Sequence, residues 1–270
     1  MNSTYAKKNK LPVFYLDLSI KNQNLNDSIK YAYRIQESIL PKIRHINRIW
    51  KDTIIFNKPK DIVSGDFFWI TEKDGYIFWV VADCSGHGVP GAMLTMLGNS
   101  FLNYIILGKE ISETNEILNE MDKKMGEAFR YSEDSEHIDI SIIRYDGGKK
   151  VINYSGARRK LIHIRQEEPT ILEGDNFPIG GMHLEPKRFY SKQELKISKR
   201  DTIYIGTDGF QDQFGDPKGK KFSSKRLHKF LAEISKYELD LQKIQLRLVF
   251  NNWKGNQDQI DDVCIMGIRF

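Results

Sequence analysis

The sequence predicts an antiparallel α+β fold on three observations. Strand-forming runs come as neighbours joined by short turns, such as 67–71 and 76–82 across Asp74-Gly75, a dipeptide suited to a tight hairpin. Helical patterns come in pairs, at 91–107 with 113–129 and at 224–235 with 239–253. The resulting order is strands, helix pair, strand meander, helix pair, strand, without the strand–helix alternation of a parallel sheet.

Taken in order, residues 1–25 are polar apart from an apolar patch at 11–16 and read as an irregular arm. From Asn26 the pattern turns helical, with Asn26 or Asp27 as cap and Ile29, Tyr33, Gln36, Ile39, Leu40 and Ile43 at helical spacing, until Pro41 interrupts it. This predicts an N-terminal arm and amphipathic helix over 1–45, a candidate regulatory or dimerisation element, and a globular domain over 46–270. The helix can pack on that domain or pair with a second copy of the chain as a homodimer. Its stripe is too short for a sustained coiled coil, which favours packing. Strands are expected at 53–56, 67–71 and 76–82, then at 138–145, 151–154 and 160–165, with turns at 146–148 and Gly156. Others follow at 189–197 and 202–207, and the last, over 261–270, opens on Asp261-Asp262.

Bulk properties narrow the function classes. The 270 residues are 40% hydrophobic and 29% charged, ordinary for a soluble protein with a substantial core. A net charge of +5 from 41 basic and 36 acidic residues, with no basic block beyond Lys218-Gly-Lys-Lys221, does not suggest a nucleic-acid partner. Cys84 and Cys264 form no CxxC pair and fit a reduced compartment. No apolar run reads as long enough to span a bilayer, and the N-terminus is polar. A cytoplasmic location is expected.

The chemistry lies in acids at strand ends. Asp66 precedes a strand, Asp83 and Asp208 each follow one, and Asp261 with Asp262 precedes another. One Asp beside Gly ordinarily caps a turn. Several abutting buried strands point instead to a hard divalent cation, which takes oxygen ligands. The Asp74-Gly75 hairpin places Asp66 and Asp83 at the same end of the sheet. Gly86-x-Gly88-x-x-Gly91 also spells a dinucleotide fingerprint, which would suit a nucleotide-dependent oxidoreductase. That motif needs a following strand with a terminal acid, whereas here Asp83 precedes the glycines and a second helix follows. His87 can serve as a proton donor or as a turn histidine bonded to backbone.

Ser64-Gly-Asp-Phe-Phe68, Ala82-Asp-Cys-Ser-Gly-His-Gly88, Gly206-Thr-Asp-Gly-Phe210 and Asp261-Asp-Val-Cys264 occur in one order and spacing. Over about Ile35 to Phe270 the chain thereby resembles the metal-dependent serine/threonine phosphatases of protein phosphatase 2C type (PPM). The branch is the bacterial one typified by stage II sporulation protein E and the phosphatases that regulate stress sigma factors. Arg34-Ile-Gln-Glu-Ser-Ile-Leu-Pro41 and Asp212-Gln-Phe-Gly215 share its character. The resemblance implies an α-β-β-α sandwich, two antiparallel sheets packed face to face with helices outside. It implies two Mn²⁺ or Mg²⁺ ions, with Asp83 bridging them and the Cys84 carbonyl on one. Asp208 and Asp261 would hold the other ion, Asp66 the first directly or through water, and Asp262 is a supporting candidate.

Asp83 and Asp66 are accordingly the expected catalytic acids. The implied reaction is hydrolysis of phosphoserine or phosphothreonine on a protein by a metal-activated water, in bacterial signalling. An anti-sigma factor antagonist is the precedent for the substrate. Ser64 stands where many relatives have Gly, Cys84 where Gly is frequent, and Cys264 where Thr or Ser is usual; none of these removes a carboxylate. A catalytically inactive, phosphatase-like binding or scaffold module is the alternative, and it would need a broken metal site.

Overall fold

Strand pairing follows the apolar runs, and it produces two antiparallel sheets rather than one. The structure, a computed structural model, describes residues 3–132, 135–181, 188–215 and 219–270, with side chains from Tyr15 onward. Two helices, α1 (Ser3–Ile39) and α2 (Ile43–Ile49), lead into strands β1 (Thr53–Lys58), β2 (Asp66–Lys73) and β3 (Tyr76–Cys84). Helix α3 (Gly88–Leu102) runs on through a π turn, Asn103–Gly108, and α4 (Thr114–Ala128) follows. The meander comprises β4 (His137–Asp146), β5 (Val151–Ala157), β6 (Lys160–Arg165), β7 (Glu168–Glu173), β8 (Ile179–Gly180), β9 (Gln193–Lys196) and β10 (Thr202–Gly206). Short elements α5 (Gly209–Asp212), β11 (Phe214–Gly215) and β12 (Lys220–Lys221) precede α6 (Ser224–Ile234), α7 (Leu239–Lys254) and β13 (Val263–Arg269).

One sheet has the order β1-β13-β10-β6-β7, and the other β2-β3-β4-β5-β9 with β8 beside β4. Every pairing between these strands is antiparallel. Ile55, Phe68, Trp79, Ile143, Tyr154, Ile203, Cys264 and Met266 fill the space between the sheets. Phe67, Phe78, Val80, Ile140 and Ile142 point the other way, onto Leu102, Ile105, Leu118 and Met121 of the α3–α4 layer. On the opposite face Ile54, Tyr204 and Ile265 meet Leu231, Leu246 and Phe250 of α6 and α7. Alternate residues of one strand thus serve two cores. The expected α-β-β-α sandwich is the fold observed.

Three expectations are corrected. Residues 3–39 form one 37-residue helix, not an irregular arm ahead of a helix beginning at Asn26. Residues 15–34 of α1 are almost all exposed, so the segment has no buried face to impose an apolar period on its sequence. Among the described side chains of α1, from Tyr15 onward, the first to be buried is Gln36. Next, α2 straddles the expected boundary at 45/46 and places Ile46 in the inter-sheet core. Finally, Gly88–Gly108, 21 residues at mean hydropathy 1.2, does meet the length and composition of a membrane span. Half of it is buried, because Leu94, Leu102, Ile105 and Ile106 pack on the sheet. Strand β9 is shorter than its expected span, β7 was not anticipated, and Lys218 of the basic block lies outside the described residues.

Trp79 is fully buried between the sheets, with ring centroids 5.9 Å from Trp50, 6.4 Å from Tyr145 and 6.0 Å from Phe270. Truncating so large a side chain leaves a cavity that the surrounding strands cannot close. Trp79→Ala is therefore expected to lower unfolding free energy by about 3–5 kcal/mol, read from a denaturant titration.

Candidate metal centre

The hairpin register decides where the first acids stand. Asp66 and Asp83 are direct partners in the β2–β3 ladder, and Asp83 is in turn opposite Asp139 on β4. Three carboxylates therefore line one end of one sheet. The other sheet contributes Asp208, just past β10, and Asp261 and Asp262, just before β13, its partner strand. A strand end is a rigid platform with free space beyond it, so both sheets aim acids into one cleft.

Each acid has a different setting. Asp66 is buried; its carboxylate accepts the Thr207 hydroxyl at 2.6 Å, and Thr207 Oγ1 in turn accepts Cys264 N–H at 2.9 Å. This relay ties the β2 end to the β10–β13 pair. Burial first, then the neighbouring Asp83 charge, drives the Asp66 carboxyl well above the ordinary carboxylate range. Burial likewise raises Asp83, to about 8; Arg159 opposes the shift, while Asp208, Asp261 and Asp139 add to it. Asp139 and Asp261 are also raised, chiefly by burial.

Asp262 is used differently. Its two oxygens accept Lys60 N–H and Gly65 N–H, each at 2.7 Å, which staples the loop before β2 to the start of β13. Asp261 accepts the N–H of Asp262 at 2.9 Å, and its charge reaches both Asp83 and Asp208. Asp261 thus faces Asp83 and Asp208, while Asp262, whose charge bears on Asp66, also frames the loop. The Cys84 thiol is buried, and the Cys84 carbonyl lies near Gly65, where a Cβ would come within 3.4 Å of it and 2.6 Å of the Gly86 carbonyl. Gly65 and Gly91 are therefore close-approach glycines that let the loops at 65 and 86 meet the first turn of α3 at this corner. His87 stands on an exposed rim, its Nδ1 2.8 Å from Asp61 Oδ2 and its Nε2 3.0 Å from Lys60 Nζ. The backbone-bonded alternative for His87 is not what its ring does here.

Two members of the site were missed in the sequence. Asp139 sits among Ile138, Ile140 and Ile142, whose alternation marks a strand, and its place near the start of that strand repeats the pattern of the other acids. Arg159 had no such signal, since an arginine in a short connection between strands, here the crossover from β5 in one sheet to β6 in the other, is ordinarily solvated. It is 8% exposed, donates through Nη2 to Asp83 and, at 3.3 Å, to Asp139, and places Nη1 3.1 Å from Asp208.

The donor set fits a hard divalent cation. Its side chains are all carboxylates, and the five acids Asp66, Asp83, Asp139, Asp208 and Asp261 outnumber the guanidinium groups beside them, Arg159 against Asp83, Asp139 and Asp208 and Arg158 4.0 Å from Asp139 Oδ1. Asp139 Oδ1 is buried without a hydrogen-bond partner. Among the described residues no group of His, Cys, Asp or Glu forms a ready-made ligand set, and Arg159 lies against Asp83, Asp139 and Asp208.

Residues 73–270 match the family model described as Stage II sporulation protein E. The SiaA-PP2C domain of Pseudomonas aeruginosa superposes with a TM-score of 0.85 at 29% identity, covering 93% of this chain and 98% of that one. The PP2C phosphatase domain with part of the regulatory domain of SpoIIE from Bacillus subtilis gives 0.66 at 15% identity, over 81% and 62%. RsbX in complex with magnesium gives 0.57 at 16%, over 81% and 94%. Comparison with curated protein sequences returns no match.

Two outcomes are expected. Thr207→Val keeps the shape and removes the hydroxyl shared by Asp66 and Cys264, so chemical denaturation should show a loss of about 1–3 kcal/mol. The raised Asp83 carboxyl binds a proton more tightly in the folded than in the unfolded chain. Its stabilising contribution is then full below about pH 4 and lost as pH rises through about 8. Metal-free protein should lose stability across that window, and Asp83→Asn should flatten the dependence.

Proposed function

Since the chain belongs to the stage II sporulation protein E family of protein phosphatase 2C-type phosphatases, we propose that it hydrolyses phosphoserine or phosphothreonine on a protein at this acid cluster. The observation that carries the reading is the convergence of Asp66, Asp83, Asp208 and Asp261 from the ends of two separate sheets. Asp83, central in register and charge, would bridge two Mn²⁺ or Mg²⁺ ions. Asp208 and Asp261 would hold one, and Asp66 with the Cys84 carbonyl the other. Such ions, when bound, supply positive charge for the phosphoryl oxygens and acidify water. Asp262 keeps the 60–65 loop against β13, so the position of Asp66 does not drift. On the rim, a proton on His87 Nδ1 is held by Asp61, which leaves Nε2 facing Lys60 and the open side of the cleft. A cytoplasmic phosphoprotein of a signalling system, such as an anti-sigma factor antagonist, is the substrate we propose.

The same reading gives α1 a regulatory role. Its Gln36 donates to the Ser64 carbonyl at 2.6 Å and to Thr95 Oγ1 at 2.9 Å, and accepts Ser64 N–H. Ser64 Oγ in turn accepts the N–H of Asp66 at 3.0 Å. Whatever covers the exposed Tyr15, Leu18, Leu25 and Tyr31, a second copy of the chain being the occupant proposed, can bear on Asp66 through Gln36.

Purified protein with Mn²⁺ should cleave p-nitrophenyl phosphate and a phosphoserine peptide, and Asp83→Asn should reduce both to the level of metal-free protein. Calorimetric titration that shows no Mn²⁺ binding would instead support the scaffold alternative. Sedimentation should give a dimer for the whole chain and a monomer after removal of residues 1–30; an unchanged mass rejects pairing through α1.

A further inference from the structure

We propose that Arg159 is a built-in counter-cation of the acid cluster, holding Asp83, Asp139 and Asp208 together without metal, and that divalent cations must displace its guanidinium to enter. This rests on the metal-site reading above. Arg159 lies between β5 and β6, and its backbone is pinned, the carbonyl accepting the Tyr154 hydroxyl at 2.7 Å and Gly174 N–H at 3.0 Å. The preceding Arg158 adopts φ 53°, which turns the chain there. A fixed backbone thus carries a long side chain whose head reaches carboxylates of both sheets.

Its partners set it apart from the buried Arg144, whose guanidinium meets a backbone carbonyl, a serine hydroxyl and an amide oxygen besides Glu113. The Arg159 Nη groups face only carboxylates, those of Asp83, Asp139 and Asp208. Its head is thus held by charge-assisted contacts alone. The Asp83 and Asp208 carboxylates that face Arg159 are two of those proposed to hold the cations. A dication beside a guanidinium in a partly desolvated cleft is repelled by it. Arg159 and metal therefore compete for the same carboxylates. The acid cluster holds its shape when empty, and its affinity for metal is lower than its carboxylates alone would give.

The test is calorimetric titration of Mn²⁺ into the metal-stripped full chain and its Arg159→Met and Arg159→Lys variants, with thermal unfolding in a chelator alongside. Arg159→Met should unfold at lower temperature without metal, bind Mn²⁺ at least about tenfold more tightly, and gain more in melting temperature on saturation. Arg159→Lys keeps the charge and should stay near wild type. Equal or weaker Mn²⁺ binding by Arg159→Met overturns the inference, since a merely structural arginine would loosen the site when lost. If Arg159→Met folds only with Mn²⁺ present, the counter-cation role is supported and Arg159→Gln carries the affinity comparison. A wild-type chain that takes up no Mn²⁺ rejects the metal site and this inference together, whereas normal uptake unaffected by Arg159 rejects the inference alone.

Discussion

The constraint on which the rest of the structure depends is a like-charge pair in register. Asp66 and Asp83 are opposed in the ladder between β2 and β3, both away from bulk water, with Asp139 next in line. Such a row opposes folding unless its charge is answered. The surrounding parts supply the answers: a hydroxyl from Thr207 for Asp66, the guanidinium of Arg159 for Asp83 and Asp139, and protons held on raised carboxyls. Asp262 fixes the approach of the loop that leads into the row. The two sheets are joined by apolar packing through their middle and by these polar links at one end.

That arrangement explains which features the sequence displays. Acids at strand ends are legible because each interrupts an apolar run, and a run of Val, Ile and aromatic residues has few reasons to end in Asp. The hairpin at Asp74-Gly75 made the Asp66–Asp83 pairing deducible, since a tight turn fixes register. Two packed sheets are also foreshadowed by strands such as β3, where Phe78 and Val80 enter one core and Trp79 and Val81 the other, so that hydrophobicity is continuous rather than alternating.

What stayed hidden did so for two physical reasons. Helix α1 has almost no buried side chains between residues 15 and 35, and β7, Glu168–Glu173, is an edge strand exposed along most of its length. Neither carries the apolar period that burial would imprint. Arg159 was hidden because its partners arrive from three other places in the chain. No local pattern distinguishes a turn arginine that points to solvent from one drawn into a cluster of acids. The glycine run after Asp83 spells a dinucleotide fingerprint that its sequence context rules out, and Gly91 is there because the Gly86 carbonyl and the Gly65 backbone lie where a side chain would begin.

Strand β13 has a further consequence, which concerns the order in which the molecule can be made. It lies between β1 and β10, pairing Thr53 with Ile268 and Thr202 with Arg269, so the five-stranded sheet has no centre until residues 263–269 have been synthesised. The other sheet contains only earlier strands and can form while the ribosome is still at work. A nascent chain therefore passes through a stage with one finished sheet, one apolar face waiting for its counterpart, and Asp66, Asp83 and Asp139 aligned without Asp261. Assembly of the cleft coincides with completion of the fold, and a prematurely terminated product carries neither.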